Sequence, residues 1–394
     1  MKAWWGNIRK GNLGALPAVL GLIVLCTYFS LARPAFFTAY NLANLFTQGA
    51  AVTVIAMGLV FVLLLGEIDL SAGFASGVCA AVLAVVLSRY GSPWYVAVLA
   101  AIATGIVIGL VLGLLVAKLG IPSFVVTLAA FLAFQGVVLK IVHDGEIISV
   151  RDPVIRGLVN NNMPTLWSWA FAAVAVAVYA VVQIKGTLSR RKQKVTADPW
   201  HIVGVRIASL GALLGILVGV LNEERSPNII VTSLKGVPNV VPVIAILLVI
   251  GTFVLRRTAY GRHLYAVGGN REASRRAGIS VDAIRISAFV VCSGMAAIGG
   301  IVAASRASSV DPNTGGSNVL LYAVGAAVIG GTSLFGGKGR VLDAVLGGLV
   351  VAVIDNGMGL MGYSAGTKYI FSGCVLLLAA SVDALSRKRA DTSG

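Results

Sequence analysis

Val54-Ile55-Ala56-Met57-Gly58-Leu59-Val60-Phe61-Val62-Leu63-Leu64-Leu65 runs directly into Gly66-Glu67-Ile68-Asp69-Leu70-Ser71, and from Ala72 to Leu87 the chain is apolar again. Without the interruption this stretch would hold about 40 apolar residues, enough for two bilayer crossings at about 20 residues each. A glycine and two acids in the middle divide it into two helices with a turn between them. Barrel strands alternate apolar and polar residues, and these runs do not. Inside a membrane each acid would cost about 2.5–3.5 kcal/mol, so Glu67 and Asp69 must face protein, water or a partner. Two readings stand side by side. One is a polar turn at the inner surface with Asp69 or Ser71 capping the next helix; the other is a broken helix beside a permeation path.

The same texture extends along the chain. Of its 394 residues 58% are hydrophobic and 12% charged, and the mean hydropathy is +0.92. Soluble domains carry about twice that share of charge. Twelve apolar spans are expected, at 13–32, 47–66, 71–88, 94–117, 122–142, 165–184, 207–222, 239–255, 284–304, 319–336, 341–361 and 367–386. The fold class is an all-α polytopic transmembrane bundle of about 10–12 spans, with residues 1–394 as one membrane-embedded domain. The first span follows Lys2, Arg9 and Lys10 and is read as a retained anchor, since its apolar run exceeds that of a signal peptide.

The formal charge of +16 would suggest nucleic acid in a soluble protein; here it sets orientation. With both termini inside, 22 of the 31 basic residues fall in inner segments. Residues 185–206 form one basic cytoplasmic loop and 257–283 another. Outer loops hold offsetting acids, among them Asp144, Glu146, Asp152, Glu223 and Glu224. Cys26, Cys79, Cys292 and Cys374 show no metal-like or disulfide-like spacing and read as small hydrophobes. Gly105, Gly109 and Gly113, and again Gly211, Gly215 and Gly219, form stripes of small residues suited to close helix packing.

Three further segments bear on function. Gly261 to Ile279 crowds arginines between glycines, and such a helix-forming loop suits a transporter that must dock a soluble motor. Asn270 is placed to cap a two-turn helix, Glu272 lies in its first turn, and Arg275 and Arg276 lie late, matching the helix dipole. Asp355-Asn356-Gly357 puts a carboxylate and an amide inside the eleventh span, either for interhelical hydrogen bonds or for a polar solute such as a sugar. Gln135 is a weaker candidate, and Lys140 can snorkel outward. Gly330 to Arg340 looks like a phosphate loop but fails G-x-x-x-x-G-K-[ST], with Thr332 at the first glycine and Gly339 after the lysine. No catalytic, cofactor or metal motif appears.

Four segments together carry a resemblance. Gly66-Glu67-Ile68-Asp69-Leu70-Ser71-Ala72-Gly73, Pro122 to Leu128, Gly261 to Asn270 and Gly330-Gly331-Thr332-Ser333-Leu334 resemble the ribose/xylose-type permeases of bacterial ABC importers. The extra stretch from about 185 to 240 makes the chain longer than ribose-type members and more similar to the D-xylose permeases. The resemblance implies a type II importer-like fold, no enzymatic activity, and a membrane subunit for a monosaccharide, xylose or a related aldose. It implies as partners an ATPase with two fused nucleotide-binding domains holding ATP and Mg, an extracytoplasmic sugar-binding protein, and a second permease copy, in the lipid of a bacterial inner membrane. Glu272 to Gly278 resembles the E-A-A-x-x-x-G docking loop, with Ser274 for the second alanine. The ATPase-docking candidates are therefore Arg262, Gly268, Gly269, Asn270, Glu272, Ala273, Arg275, Arg276 and Gly278. The translocation-path candidates are Glu67, Asp69, Ser71, Gln135, Asp355 and Asn356. An ion-coupled secondary sugar transporter, with Glu67, Asp69 and Asp355 as relay acids, is the alternative.

Overall fold

The computed structural model describes residues 16–143, 145–193, 198–226 and 233–392. Lys2, Arg9, Lys10, Asp144 and Lys194 lie outside the described residues. Among the described residues nine helices are long and apolar enough to cross a membrane, and three shorter apolar helices accompany them. In chain order these are α1 (Leu16–Ala32), α2 (Ala39–Leu64), α3 (Ala72–Ala84, continued to Arg89 by one wider turn), α4 (Trp94–Ala117) and α5 (Ser123–Val142). After a short strand β1 (Ile148–Ser149) follow α6 (Pro153–Asn160), α7 (Thr165–Lys192), α8 (Trp200–Leu221) and α9 (Val240–Arg257). Two short helices, α10 (Ala259–Gly269) and α11 (Arg271–Arg276), precede α12 (Val281–Ala307), β2 (Ser309–Val310), α13 (Ser317–Ile329), α14 (Val341–Leu360) and α15 (Ala365–Thr392).

Each of the twelve apolar spans is helical among the described residues, most with shifted ends. α2 starts at Ala39, eight residues before the expected 47, because Thr38 accepts a hydrogen bond from the Asn41 N–H and caps it. The expected span 319–336 stops at Ile329. Gly330 there lies so close to Asp343 that a Cβ would sit 1.7 Å from its carbonyl oxygen, and Gly331 turns the chain at φ +114°. The basic loop expected at 185–206 is shorter than predicted. α7 runs helical to Lys192, with Arg190, Arg191 and Lys192 in its last turn, where cations meet the negative end of the helix dipole. α8 resumes at Trp200, whose ring lies 4.9 Å from the Arg191 guanidinium.

Burial divides the helices into two layers. In α2, 72% of the most apolar window is buried, against 11% in α7 and α8. α12 packs along α4, α2 and α3, and α14 along α2 and α13. α5, α7, α8 and α9 lie outside this inner set and present apolar faces outward, as a bilayer requires. The glycine stripe of α4 lets the contact with α12 form: a Cβ on Gly109 would sit 2.5 Å from the Phe289 carbonyl and 2.6 Å from Val290 Cα. The matching stripe of α8 is otherwise. A Cβ on Gly211 would make only ordinary contact with Val176 of α7, at 3.8 Å, and Gly215 and Gly219 have nothing within 4 Å, so its period is not required by close packing within this chain.

The two ends of the bundle are closed differently. At one end the α2–α3 turn meets α10, α11 and the 333–337 loop. At the other, β1 and β2 pair antiparallel with Ile148 opposite Val310, and Asn162 bridges to Pro238.

Candidate functional site

The first end is built around α11. Asn270 has extended backbone, and its Oδ1 accepts the Ala273 N–H at 2.9 Å, so it caps the helix as its sequence position predicts. Glu272 accepts from Arg276 Nε at 3.1 Å, and Arg275 Nη1 lies 3.7 Å from its other oxygen. The helix ends in a Schellman arrangement: Ile279 N–H donates to the Ser274 carbonyl, Gly278 N–H to that of Arg275, and Gly278 takes φ +82°. Glycine is the residue that reaches this conformation without strain. Glu272, Ala273, Arg275, Arg276 and Gly278 are exposed, whereas Ser274 is buried, 4% exposed. The position where serine replaces alanine thus faces inward and requires a small side chain. α10 is capped by Thr258 on the Gly261 N–H; it buries Leu264 and Val267 and exposes Arg262.

Behind α11 lies a junction made by glycines. Gly66 turns the chain at φ +69°. The Leu64 carbonyl accepts the Gly337 N–H at 2.8 Å, and a Cβ on Gly268 would meet that same carbonyl at 1.8 Å. Tyr265 donates its hydroxyl to the Gly339 carbonyl at 2.6 Å, and burial pushes this phenol above its ordinary value. The glycines of the false phosphate loop therefore serve close backbone contact.

Glu67 points into this junction. Its Oε1 accepts from Arg271 Nη2 at 2.8 Å, from Arg285 Nη2 at 2.7 Å and from Arg285 Nε at 2.9 Å. Arg271 Nη2 also donates to the Leu65 carbonyl at 3.1 Å. Past Glu67, Ile68 is held to α5 from both sides: its N–H donates to Ser123 Oγ and its carbonyl accepts from Thr127 Oγ1. Asp69 is fully buried; its Oδ1 accepts the N–H and hydroxyl of Ser71, and its carboxyl also takes the N–H of Ala72, the first residue of α3, so it serves the start of that helix as its sequence position suggests. The Cys292 thiol of α12 lies against that carboxyl.

The remaining path candidates sit elsewhere. Asp355 and Asn356, toward the far end of α14, join residues that no local pattern announced. Asn356 and Asn41 exchange reciprocal amide bonds of 2.9 and 2.8 Å, and Asn356 also reaches Gln48 at 3.3 Å. Asp355 accepts from Gln48 and pairs with Lys368 at 3.2 Å. Gln135 joins neither cluster and is exposed on α5. The six candidates thus form a group of three at one end, a pair at the other, and one outlier. Arg271, Arg285, Asn41, Gln48 and Lys368 complete the two clusters; only a fold in hand brings them to their partners.

Comparison with known proteins agrees with this architecture. The family described as "Branched-chain amino acid transport system / permease component" matches residues 41–380. The xylose transport system permease protein of Escherichia coli K12 is 32% identical over 387 residues, 98% of this chain and 95% of that protein. Its Haemophilus influenzae counterpart is 30% identical, covering 97% and 99%. The ribose import permease protein of Escherichia coli K12 is 30% identical, covering 93% and 92%. No solved structure matches the chain. A multi-pass helical bundle, matched over most of its length, belongs to the family of transport-system permease components.

Proposed function

We propose that this chain is the translocation subunit of an ATP-driven monosaccharide importer, carrying xylose or a related aldose. The observation that carries the reading is α11: a short helix capped at both ends, offering Glu272, Ala273, Arg275 and Arg276 to solvent at the end of the bundle. The names of the relatives support the sugar. In this reading α11 docks a separate ATPase with two fused nucleotide-binding domains, which binds ATP and Mg. A second copy of the chain completes the pathway, and an extracytoplasmic sugar-binding protein delivers the substrate. The protein lies in the bacterial inner membrane, with both termini and the α11 end cytoplasmic. That orientation accords with the placement of 22 of 31 basic residues.

Supply of energy by ATP rather than an ion gradient is favoured over the secondary-transporter alternative because the relatives are named as transport-system and import permeases. Glu67, moreover, is committed to two arginines and offers no open relay site. The test is D-xylose uptake by proteoliposomes holding the permease and its cognate ATPase. Uptake should follow internal ATP and persist with an uncoupler, and Glu272→Lys or Gly278→Arg should abolish it while the chain still inserts. Uptake that collapses with the uncoupler at constant ATP, or that survives both substitutions, would defeat the reading. The chain alone should release no phosphate from ATP.

A further inference from the structure

Glu67 is an acid held almost out of water, its side chain 6% exposed, with two guanidinium groups on one oxygen. A buried carboxylate needs a countercharge, or its desolvation is uncompensated. Arg285, on α12 and only 14% exposed, already supplies one. Arg271 is therefore a second cation beyond what neutrality requires. It is 45% exposed, and an exposed ion pair contributes little to stability. Its geometry nevertheless is specific: one Nη2 reaches both Glu67 Oε1 and the Leu65 carbonyl, on either side of Gly66. Arg271 is also the first residue of α11.

The turn it grips is fixed on every other side. Leu64 is tied to Gly337, Ile68 to α5, and Asp69 lies against α12. A displacement of α11 has one charged handle on the α2–α3 turn, and that handle is Arg271. We propose that the Arg271–Glu67–Arg285 triad transmits movement of α11 to the break between α2 and α3, making Glu67 a positioning residue for transport and not a lining residue of the path. This rests on reading α11 as the ATPase-docking helix.

The experiment uses the reconstituted complex with its cognate ATPase, measuring retained ATPase, ATP hydrolysed and D-xylose imported in the same vesicles. Arg271→Gln leaves the Glu67–Arg285 pair intact and should fold. It should retain the ATPase and hydrolyse ATP, while sugar moved per ATP falls on the order of tenfold, within the range of typical coupling energies. Arg271→Lys should recover part of that ratio, since the charge returns without the forked reach to Leu65. Glu67→Gln should match Arg271→Gln; if it fails to accumulate, the Arg271 pair of variants decides. An unchanged sugar-to-ATP ratio in Arg271→Gln overturns the proposal, whether or not ATPase binding weakens, because loss of binding alone means a surface contact. Failure of the docking reading shows separately: the Glu272→Lys complex would then retain the ATPase and transport like the parent, and the proposal would fall with it.

Discussion

Gly268 and Gly269 are neighbours with the same side chain at the end of α10, yet the structure gives them opposite tolerances. An ideal Cβ on Gly268 would stand 1.8 Å from the Leu64 carbonyl oxygen, 2.9 Å from its carbon and 3.0 Å from the Gly337 nitrogen. All three are backbone atoms, so no rotamer change relieves them. To regain an ordinary 3.4 Å contact, α10 must withdraw by about 1.6 Å. That shift endangers the 2.8 Å bond from Gly337 to Leu64 and, three residues on, the Arg271–Glu67 pair. Overpacking of this kind costs about 1–3 kcal/mol, and a lost buried hydrogen bond adds about 1 kcal/mol. Gly269 has nothing within 4 Å of its would-be Cβ. Alanine there gains up to about 1 kcal/mol of helix propensity. Gly268→Ala would gain the same propensity, so the two variants should differ by about 2–4 kcal/mol, the overpacking and the lost hydrogen bond together. The assay is the apparent unfolding midpoint of each variant in one detergent at one scan rate, since unfolding of such proteins is often irreversible. Gly268→Ala should unfold several degrees below the parent, and Gly269→Ala at or above it. Equal midpoints would refute the close-junction reasoning.

Gly109→Ala should destabilise the bundle by forcing α4 off α12, whereas Gly215→Ala on α8 should be neutral; comparable losses in the same thermal assay would contradict the packing described. Asn41→Leu and Asn356→Leu should each leave a buried amide oxygen without its partner, at about 1–3 kcal/mol. The double variant should lose less than the two singles combined, and strict additivity in a double-mutant cycle would mean the amides are not partners. Glu224, outside the spans, accepts the Leu234 N–H, the Ser233 hydroxyl and the Ser226 N–H, which hold it at about 2 against an ordinary 4.5. A depressed carboxylate contributes above its unfolded value and loses that contribution as pH falls toward its folded one. Pepsin cleavage of this segment relative to that of Glu224→Gln at the same pH, which cancels the protease's own titration, should therefore rise as pH drops from 4.5 toward 2; a constant ratio would assign the acid sensitivity elsewhere.

What the sequence made legible is what local chemistry determines. Apolar runs place the helices, to the residue for α4 at 94–117, because the bilayer demands length and hydropathy and little else. Asn270 and Gly278 reveal the ends of α11 because caps act within one turn. Partners are another matter. The glycine stripes of α4 and α8 have the same period, yet only in the first does each glycine lie tight against another helix's backbone. Glu67 lies 204 residues from Arg271 and 218 from Arg285; its burial could be argued from cost, but not what relieves it. Asp355 likewise gave no hint of Lys368.

The false phosphate loop shows how such a partner could be sought. Gly66, Gly268, Gly336 and Gly337 come from three distant segments, and three of them take φ between +69° and +86°. In an alternating topology all three segments fall at the same membrane face. Glycines gathered at one face, each beside a helix end, have two physical uses: to cradle an anion with backbone N–H groups, or to let backbones touch. Here the Gly337 N–H is spent on the Leu64 carbonyl and the Ser333 N–H on that of Lys338, so the second use holds. A loop whose amides are already paired within the protein has none of those amides left for a phosphate.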